Sequence, residues 1–529
     1  VQQPPARPVA SSTPAVTPPA AGLPKPGQPL AKQVTPAPLS APASGATPLA
    51  VAAPAATAGG TAPVASVKKP PIALFAIIGV LVLGVVGFLL YSMFGAQPST
   101  QSAGTAQPAN NQAQTSGTAG EKQQPSKPTS DKQTTITYWG LWEPTEVLTQ
   151  VITDFEKSNP QYKIDYRKQS HRDYRERLQT AIASGNGPDI FRFHASWTPM
   201  LQGELSPMPS SVMSDAEYKK VFYPVAAKQL AVKGRIVGIP LMYDGLALFY
   251  NVDILKTANA EPPQNWAELR SLADALTSPS EKSARGSAPL QRSGLAIGNA
   301  ENVEHFSDIL GLLILQNGGD LANPNSPEVR DALLFYTNFI KEDMVWSEAL
   351  PSSTVAFARG DTAMMLAPSW RAHDVKNLNP NLEFGIAPAP KLGDTRLGWA
   401  TYWAEGVNVK SKNQDGAWAF LKYLSTSDVL KKLYADASQV RTFGEIYPRQ
   451  DMAAELNGDA VVSQFLVDAP TAEAWYLSSY THDNGINDQL IKYYKDAVNG
   501  ILAGQTVDDV IEALEAGTTQ VLRQYNATE

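Results

Sequence analysis

An uncharged apolar run of 23 residues, 72–94, divides this chain into two parts of different composition. At about 1.5 Å per residue, a helix of that length would cross a hydrocarbon layer of about 30 Å. Lys68 and Lys69 precede the run, and no basic residue follows it until Lys122. The positive-inside rule then places residues 1–71 in the cytoplasm and the remainder outside. The run predicts an uncleaved single-pass membrane anchor, because a cleaved signal peptide, the alternative, would have a shorter apolar core.

The segments on either side of this run are predicted to lack a core. Residues 1–71 hold 17 of the 42 prolines and contain no acidic or aromatic residue. Such a segment buries too little apolar surface to offset its ordering entropy, so a disordered Pro/Ala-rich tail is predicted. Residues 95–133 are rich in Gln, Ser, Thr, Gly, Ala and Pro, which predicts a flexible polar linker. All ten tryptophans follow residue 138, so the folded domain is expected at 134–529.

Charge and cysteine content exclude several classes of function. The net charge is −7, and the five basic residues of 1–71 leave the rest of the chain near −12. Phosphate binding needs a basic face, so an acidic domain argues against a nucleic-acid partner. The sequence has no cysteine, which excludes disulfides, thiolate metal sites and lipid attachment through cysteine. The five histidines show no metal-ligand spacing, and neither a metal nor a cofactor is predicted.

From residue 134 onward, the pattern alternates between strands and helices. Strands are predicted at 136–140, 162–169, 189–193, 363–370, 383–390 and 406–411, and helices at 146–159, 174–184, 265–276, 303–316, 326–343, 353–359, 415–424 and over most of 486–524. The β-α-β-α-β order at the start predicts an α/β fold, in which ligands bind at loops beyond the carboxyl ends of strands. The apolar segment 236–255, interrupted by Asp244-Gly245, predicts a strand that passes from one lobe to another.

Six segments in a fixed order carry a family resemblance. They are TITYWGLWE with VITDFEKSNPQYKIDY, LQTAIASGNGPDIFRF, GIPLMYDGLALFYNVDIL with PPQNWAELRSLADAL, FARGDTAMMLAPSW with FGIAPAPK, AWAFLKYLS and LAGQTVDDVIEAL. Together they resemble the extracellular solute-binding protein family 1 of ABC importers, the group that includes maltose-binding protein, over about 134–529. The resemblance implies a type II periplasmic-binding-protein fold, with two α/β lobes that close on a ligand. Lobe 1 would comprise about 134–244 and a return segment after about 405, and lobe 2 about 245–400 and the C-terminal helices.

The same resemblance implies a function. The chain would be a membrane-anchored, extracytoplasmic substrate-binding protein that captures a small molecule, expected to be a carbohydrate, for ABC permease subunits. Aromatic rings cover the C–H faces of a sugar, and carboxylates, amides and hydroxyls bind its hydroxyl groups. The expected ligand contacts are Trp142, Glu143, Phe193, His194, Ser196, Trp197, Asp244, Trp370, Tyr402, Trp403, Asn484 and Asn487. Asp244 and Gly245 are the expected hinge, since glycine tolerates unusual backbone angles. Trp266, Trp346 and Trp418 are expected in the core.

The residues leave other functions open. A non-sugar ligand is one: a polyamine would suit an acidic aromatic cleft, and a glycerophosphate would need arginines such as Arg192, Arg371 or Arg441. A ligand sensor without a role in transport is another. A glycosidase would need two carboxylates at a fixed separation, for which Glu143 and Asp244 qualify by type. The sequence has no recognisable catalytic motif, so no enzyme activity is expected.

Overall fold

The computed structural model describes residues 133–527. The predicted tail 1–71, the predicted anchor 72–94 and residues 95–132 of the predicted linker lie outside that range. Among the described residues, no helix combines the length and the apolar character that a membrane crossing needs. The described residues all belong to one compact unit.

The strands and helices follow one another as the α/β pattern predicts. The strands are β1 (Thr134–Gly140), β2 (Tyr162–Lys168), β3 (Ile190–His194), β4 (Ala231–Val232), β5 (Arg235–Ile236), β6 (Gly238–Pro240), β7 (Ala247–Asn251), β8 (Met364–Ala367), β9 (Phe384–Pro388) and β10 (Trp403–Val407). The helices are α1 (Thr145–Ser158), α2 (Tyr174–Ala183), α3 (Asp215–Val221), α4 (Pro224–Gln229), α5 (Val252–Thr257), α6 (Trp266–Leu276), α7 (Lys282–Arg285), α8 (Phe306–Gln316), α9 (Pro327–Lys341), α10 (Ser353–Arg359), α11 (Arg371–Leu378), α12 (Gln414–Leu424), α13 (Ser427–Ala437), α14 (Val462–Leu466), α15 (Ile486–Leu502) and α16 (Val507–Gln524). Short 3-10 helices lie at Ala195–Trp197, Gln450–Leu456 and Ala469–Thr471.

Two larger sheets organise the described residues, in addition to the two-stranded sheet β4-β5. The first has the strand order β2-β1-β3-β10-β6, and the second has the order β8-β7-β9. We call the first sheet and the helices packed on it lobe 1, and the second sheet and its helices lobe 2. In lobe 1, β1 is parallel to β2 and β3, whereas β10 is antiparallel to β3 and β6. This register sets Trp403 directly opposite His194, so both side chains lie at the carboxyl end of β3.

Local sequence explains the helices that support the sheets. In α1, Val147, Val151 and Phe155 recur at helical spacing, and their buried stripe faces the lobe 1 core. Polar side chains cap several helices; Asn265 and Ser326, for example, each accept a backbone N–H three residues ahead. α12 and α13 pack on α1, and α15 packs on α16, α8 and α9. The C-terminal helix α15 therefore covers α8 and α9.

Three stretches of chain run side by side between the sheets. The backbone N–H of Leu246 donates to the carbonyl of Trp399 at 3.0 Å, and the N–H of Thr401 donates to the carbonyl of Asp244 at 3.0 Å. The N–H of Ala400 donates to the carbonyl of Glu473 at 2.8 Å. The predicted strand 236–255 is in fact two strands, because β6 ends in lobe 1, β7 begins in lobe 2, and 241–246 joins them.

Glycine is needed at position 245 for a different reason from the one that the sequence suggested. Its φ lies outside the left-handed region, so no unusual backbone angle requires glycine. A Cβ at this position would lie 2.5 Å from the carbonyl oxygen of Trp399 and 3.2 Å from the hydroxyl of Tyr243. Glycine is needed because the neighbouring strand approaches closely, and only a residue without a side chain leaves room for it.

Candidate ligand-binding site

A cavity of about 340 Å³ lies beside these crossing strands, in the size range of small-molecule sites. Six of the predicted ligand residues line it: Trp142, His194, Asp244, Trp370, Tyr402 and Trp403. Asp244, Trp142 and Trp370 come from three distant stretches of chain and meet on this one cavity. The remaining lining residues were not among the predicted ligand contacts: His171, Met242, Ser369, Arg371, His373, Thr401, Arg441, Phe443, Glu445, Ser479, Tyr480 and His482.

Aromatic rings from lobe 1 form one wall of the cavity. Trp142 follows β1, and Trp403 begins β10; their ring centres are 5.4 Å apart in an edge-to-face arrangement. His171 stacks against Trp142, with ring centres 5.7 Å apart. Trp403 is supported from behind by His194 and Trp197, each with a ring centre 5.2 Å away. The two half-buried indoles therefore have fixed orientations and present apolar surface to the cavity.

The opposite wall combines two aromatic rings with one arginine. Trp370 follows β8, directly before α11, and its ring centre is 5.8 Å from that of Tyr480. The guanidinium carbon of Arg371 lies 4.1 Å from the ring centre of Trp370 and 4.6 Å from that of Tyr480. Arg371 also pairs with Glu304 at 2.8 Å and with Asp374 at 3.0 Å. Cation–π contacts and ion pairs together hold this wall rigid.

Asp244 connects the crossing strands to the loop that carries Trp370. Its Oδ1 accepts the backbone N–H groups of Gly245 at 2.7 Å and Ser369 at 2.9 Å, and its Oδ2 accepts the hydroxyl of Ser369 at 2.9 Å. Burial raises the pKa of Asp244 to about 7, although these three donors favour the charged form. Nearby Glu445 raises the pKa further. This carboxyl group can therefore exist in either protonation state near neutral pH.

Glu143 does not line the cavity. Its carboxylate is buried inside lobe 1, where it pairs with Arg192. Arg192 also pairs with Glu405 at 2.6 Å. The hydroxyl of Tyr138 donates to Glu405 at 2.9 Å. Burial opposes ionisation of Glu143, but Arg192 outweighs it and lowers the pKa of Glu143. The side chain is engaged in the core because an arginine there requires a counter-charge.

Phe193 and Trp197 also lie behind the cavity wall. Phe193 is fully buried, with its ring against Gly238 and Gly406 of the neighbouring strands. β3 is a buried central strand, so its alternating side chains enter the core on both faces. Trp197 is buried in the 3-10 helix after β3 and supports Trp403. Both residues position the wall and have no surface on the cavity.

The three remaining predicted contacts also lie off the cavity. Ser196 and Asn487 are buried and hydrogen-bonded to each other at 2.8 Å. Asn484 is exposed, and its positive φ of 45° marks the turn that precedes α15. The buried positions of Trp266, Trp346 and Trp418 confirm the prediction that they belong to the core.

Little in the sequence pointed to the lining residues that were missed. Tyr480 and His482 lie in an irregular segment without periodicity, before α15. His171 lies in the turn between β2 and α2. Thr401 and Ser369 each adjoin a residue that was predicted, and a rule that includes the neighbours of each predicted residue would have found them.

The charged groups on the cavity are satisfied within the protein. Arg441 pairs with Glu445 at 2.7 Å, as Arg371 does with Glu304 and Asp374. Burial lowers the pKa of His194 to about 3 and that of His373 to about 4, so both rings are neutral at physiological pH. The site therefore offers aromatic faces and hydrogen-bonding groups, with no unpaired arginine among the described lining residues.

Known proteins resemble this chain in both sequence and fold. A maltotriose-binding protein of Pyrococcus abyssi is 23% identical over 325 residues, which cover 59% of this chain and 67% of that protein. A multiple sugar-binding protein of Streptococcus mutans is 25% identical over 341 residues, covering 60% and 77% of the two chains. The structure of the sugar-binding protein MalE from Xanthomonas citri superposes with a TM-score of 0.61 at 22% identity, covering 74% of this chain and 98% of that one. This superposition supports the periplasmic-binding-protein-like α/β fold.

A family model covers more than half of the sequence. The model for bacterial extracellular solute-binding proteins matches residues 150–457. This range includes every strand of the two sheets except β1. It also includes Asp244, Trp370 and Trp403, which line the cavity. The chain therefore belongs to the family of bacterial extracellular solute-binding proteins.

Proposed function

We propose that this protein is the extracytoplasmic substrate-binding component of an ABC importer and that its ligand is an uncharged carbohydrate. One observation carries the proposal: indole rings from both lobes, Trp142, Trp403 and Trp370, line a single cavity whose arginines are already paired with carboxylates. Aromatic faces suit the C–H faces of sugar rings, and the polar groups between them suit hydroxyls. The names of the relatives, which include maltotriose-binding and multiple sugar-binding proteins, support the same ligand class.

A phosphorylated ligand is a weaker candidate. The three arginines that the sequence offered for this role are all committed to carboxylates: Arg192 to Glu143 and Glu405, Arg371 to Glu304, and Arg441 to Glu445. Binding a phosphate would require breaking one of these pairs. An arginine that is held by carboxylates has little remaining attraction for an anion.

A polyamine is also a weaker candidate. Of the carboxylates on the cavity, Glu445 is neutralised by Arg441, and Asp244 accepts three hydrogen bonds from the protein. A polycation needs accessible negative charge or aromatic faces free of other cations. Arg371 already lies over the rings of Trp370 and Tyr480, so a second cation would be repelled there.

Binding without turnover is the proposed activity. A glycosidase needs two carboxyl groups at a fixed separation. Glu143, one of the two that the sequence offered, is sealed against Arg192, and Glu445, which lies on the cavity with Asp244, is paired with Arg441. Incubation of the purified chain with labelled maltotriose is expected to return the sugar unchanged. Release of smaller sugars would contradict this.

Closure of the lobes is the proposed mechanism. The stretches around Gly245, Ala400 and Glu473 would act as the hinge, and a ligand that contacts rings on both walls would favour the closed form. Small-angle scattering with and without saturating sugar tests this. A radius of gyration that does not fall on binding would contradict closure.

Membrane anchoring and delivery to permease subunits complete the proposal. They rest on the apolar run 72–94, which lies outside the described residues, and on the family to which the chain belongs. Cell fractionation with and without this run tests the anchor. A sensor role would instead require a signalling partner. Crosslinking of the anchored protein in membranes distinguishes the two roles, because transport predicts a crosslink to a permease and sensing predicts one to a receptor kinase.

A ligand screen is the decisive experiment. Thermal shift and calorimetry of the purified chain would compare maltotriose, maltotetraose, mannobiose and tagatose with spermidine and glycerol 3-phosphate. We expect at least one neutral sugar to bind and to raise the melting temperature, because a ligand that binds only the folded state stabilises it. Binding of spermidine or glycerol 3-phosphate with none of the sugars would refute the carbohydrate assignment.

A further inference from the structure

A chain of buried hydrogen bonds begins in the loop before α15. Asp483 is fully buried, and its carboxylate accepts the backbone N–H groups of Gly485 at 3.0 Å and Asn487 at 3.1 Å. It also accepts the side-chain Nδ2 of Asn487 at 2.9 Å. A carboxylate that already accepts from these donors repels an amide oxygen, so Asn487 must turn its NH2 group toward Asp483. The second hydrogen of this NH2 group then points to the Oγ of Ser196, 2.8 Å away.

The next link fixes the tautomer of His194. The Oγ of Ser196 lies 2.7 Å from His194 Nδ1, and the backbone N–H of Ser196 donates to the same nitrogen at 3.3 Å. A ring nitrogen that accepts a hydrogen bond carries no hydrogen, and burial lowers the pKa of His194 to about 3. The neutral ring therefore carries its hydrogen on Nε2. Ser196 accepts from Asn487 and donates to His194.

The last link reaches the cavity. His194 Nε2 lies 3.1 Å from the Oγ1 of Thr401, so the Nε2–H group donates to this hydroxyl. In the described part of the chain, no other side-chain or backbone group forms a hydrogen bond with Thr401 Oγ1. Thr401 lines the cavity and is half-buried. Its own O–H is therefore free to donate toward the cavity.

We propose that Thr401 is a specificity-determining residue that donates a hydrogen bond to an oxygen of the bound ligand, with its direction fixed by the chain from Asp483 through Asn487, Ser196 and His194. The inference rests on the proposed function, since it concerns the same cavity. The backbone N–H of Thr401 donates to the carbonyl of Asp244 at 3.0 Å, which holds the residue in place between the lobes. The ligand atom that receives the Thr401 O–H must be an acceptor, and a sugar oxygen is one.

This chain also gives a role to three predicted ligand contacts. Ser196 and Asn487 are buried behind the wall, and His194 reaches the cavity with a nitrogen that is already committed to Thr401. They act as positioning residues, because they set the direction in which one hydroxyl donates. A donor whose direction is already fixed binds a ligand more tightly than one that can rotate, since less conformational entropy is lost on binding.

Two measurements on the full chain test the inference. The first is nitrogen-15 NMR of the histidine-labelled protein, with the His194 signal assigned by its absence in His194→Asn. We expect a neutral ring protonated at Nε2 that does not titrate between pH 5 and 8. The second is the affinity of Thr401→Val and Thr401→Ser for the sugar that binds best among maltotriose, maltotetraose, mannobiose and tagatose. Valine should weaken binding about three- to tenfold and serine less than twofold, because only valine removes the donor.

The exposed residue Thr153 on α1 provides the matched control, and Thr153→Val should bind as the unsubstituted chain does. A hydrogen on Nδ1 of His194, or equal affinities of the Thr401→Val variant and the unsubstituted chain, would overturn the inference while leaving sugar binding intact. Equal losses for valine and serine would also overturn it. If the unsubstituted chain binds spermidine or glycerol 3-phosphate and none of the four sugars, the proposed function fails and this inference fails with it.

Discussion

Two arginines in this molecule lie between carboxylates but in different surroundings. Arg192, at the centre of β3, is sealed beneath lobe 1 between Glu143 and Glu405. Burial raises the pKa of the Glu405 carboxyl, whereas at Glu143 the arginine outweighs burial and the pKa falls. One guanidinium thus faces two carboxylates, and the hydroxyl of Tyr138 supplies a further donor to Glu405.

Arg371 makes similar ion pairs at the surface of the cavity. It contacts Glu304 and Asp374, and its guanidinium carbon lies over the rings of both Trp370 and Tyr480, which meet edge to face. The first cluster does not line the cavity, and its one guanidinium pairs with both carboxylates. The second uses the same chemistry to fix aromatic surfaces that a ligand can touch. Burial of an ion pair therefore does not by itself identify a binding site; the aromatic neighbours and the open cavity do.

The substitution Arg192→Met should have the largest effect on the molecule. It leaves Glu143 and Glu405 buried without their counter-charge, which costs about 3–5 kcal/mol of stability. Urea unfolding followed by circular dichroism measures this as a lower midpoint. Arg167→Met is the matched control, because Arg167 forms an exposed pair with Asp165 that contributes little. Equal midpoints for the two variants would show that the sealed cluster is dispensable.

Asp244 differs from the carboxylates around these two arginines, because it is buried and has no arginine as a partner. Its pKa of about 7 lies above the ordinary value of 3.8, so the folded state holds the proton more tightly than the unfolded state. Protonated Asp244 therefore adds to the free energy of unfolding. This contribution, on the order of 2–4 kcal/mol, is complete below about pH 4 and is lost as the pH rises toward 7. The Asp244→Asn variant cannot titrate, so its stability relative to the unsubstituted chain should rise over this window.

Melting temperatures at intervals from pH 4 to 8 test this prediction. Ser369→Ala serves as a second variant, because it removes a hydroxyl donor to the charged carboxylate and should move the transition to higher pH. If the melting temperatures of Asp244→Asn and the unsubstituted chain change with pH in parallel, Asp244 has the same pKa in the folded and unfolded states, which contradicts the prediction.

Trp370→Ala should affect binding more than stability. It removes one of the two rings around Arg371 and a large apolar face of the cavity, so sugar affinity should fall by about 2–3 kcal/mol, or roughly 30- to 150-fold. Calorimetry with the best-binding sugar measures the loss. Trp475→Ala is the control, since Trp475 is also half-buried but does not line the cavity. Similar losses for both variants would contradict a stacking role for Trp370.

The α/β elements and half of the expected ligand residues could be predicted from the sequence because those signals are local. Trp142, Asp244 and Trp370 each follow or interrupt a recognisable strand, and the ends of strands meet at one cavity. The partners of Glu143 could not be predicted in this way. Arg192 is 49 residues away, and Glu405 is a further 213 residues along, so only the fold brings them together.

The other incorrect or missing predictions concern loops and the ends of strands. Tyr480 and His482 lie in an irregular segment with positive φ values, where neither helical nor strand periodicity exists. Their positions on the cavity depend on how α15 packs against lobe 2. The strand predicted at 406–411 lies at 403–407, and this earlier start is what sets Trp403 opposite His194. Strand boundaries depend on pairing partners, which a single stretch of sequence does not specify.

Arg371→Lys is the smallest and most specific change, because it keeps the charge and removes the flat guanidinium. An ammonium group can still pair with Glu304, but it lacks the planar group with which the guanidinium contacts two rings and two carboxylates at once. We expect sugar affinity to fall by about 1 kcal/mol, or roughly fivefold, with little change in the unfolding midpoint. A drop in stability as large as that of Arg192→Met would show that Arg371, like Arg192, mainly stabilises the fold. A fivefold loss of affinity without that drop would separate the two arginines by function, since only the ring-stacked guanidinium would then contribute to the surface that meets the ligand.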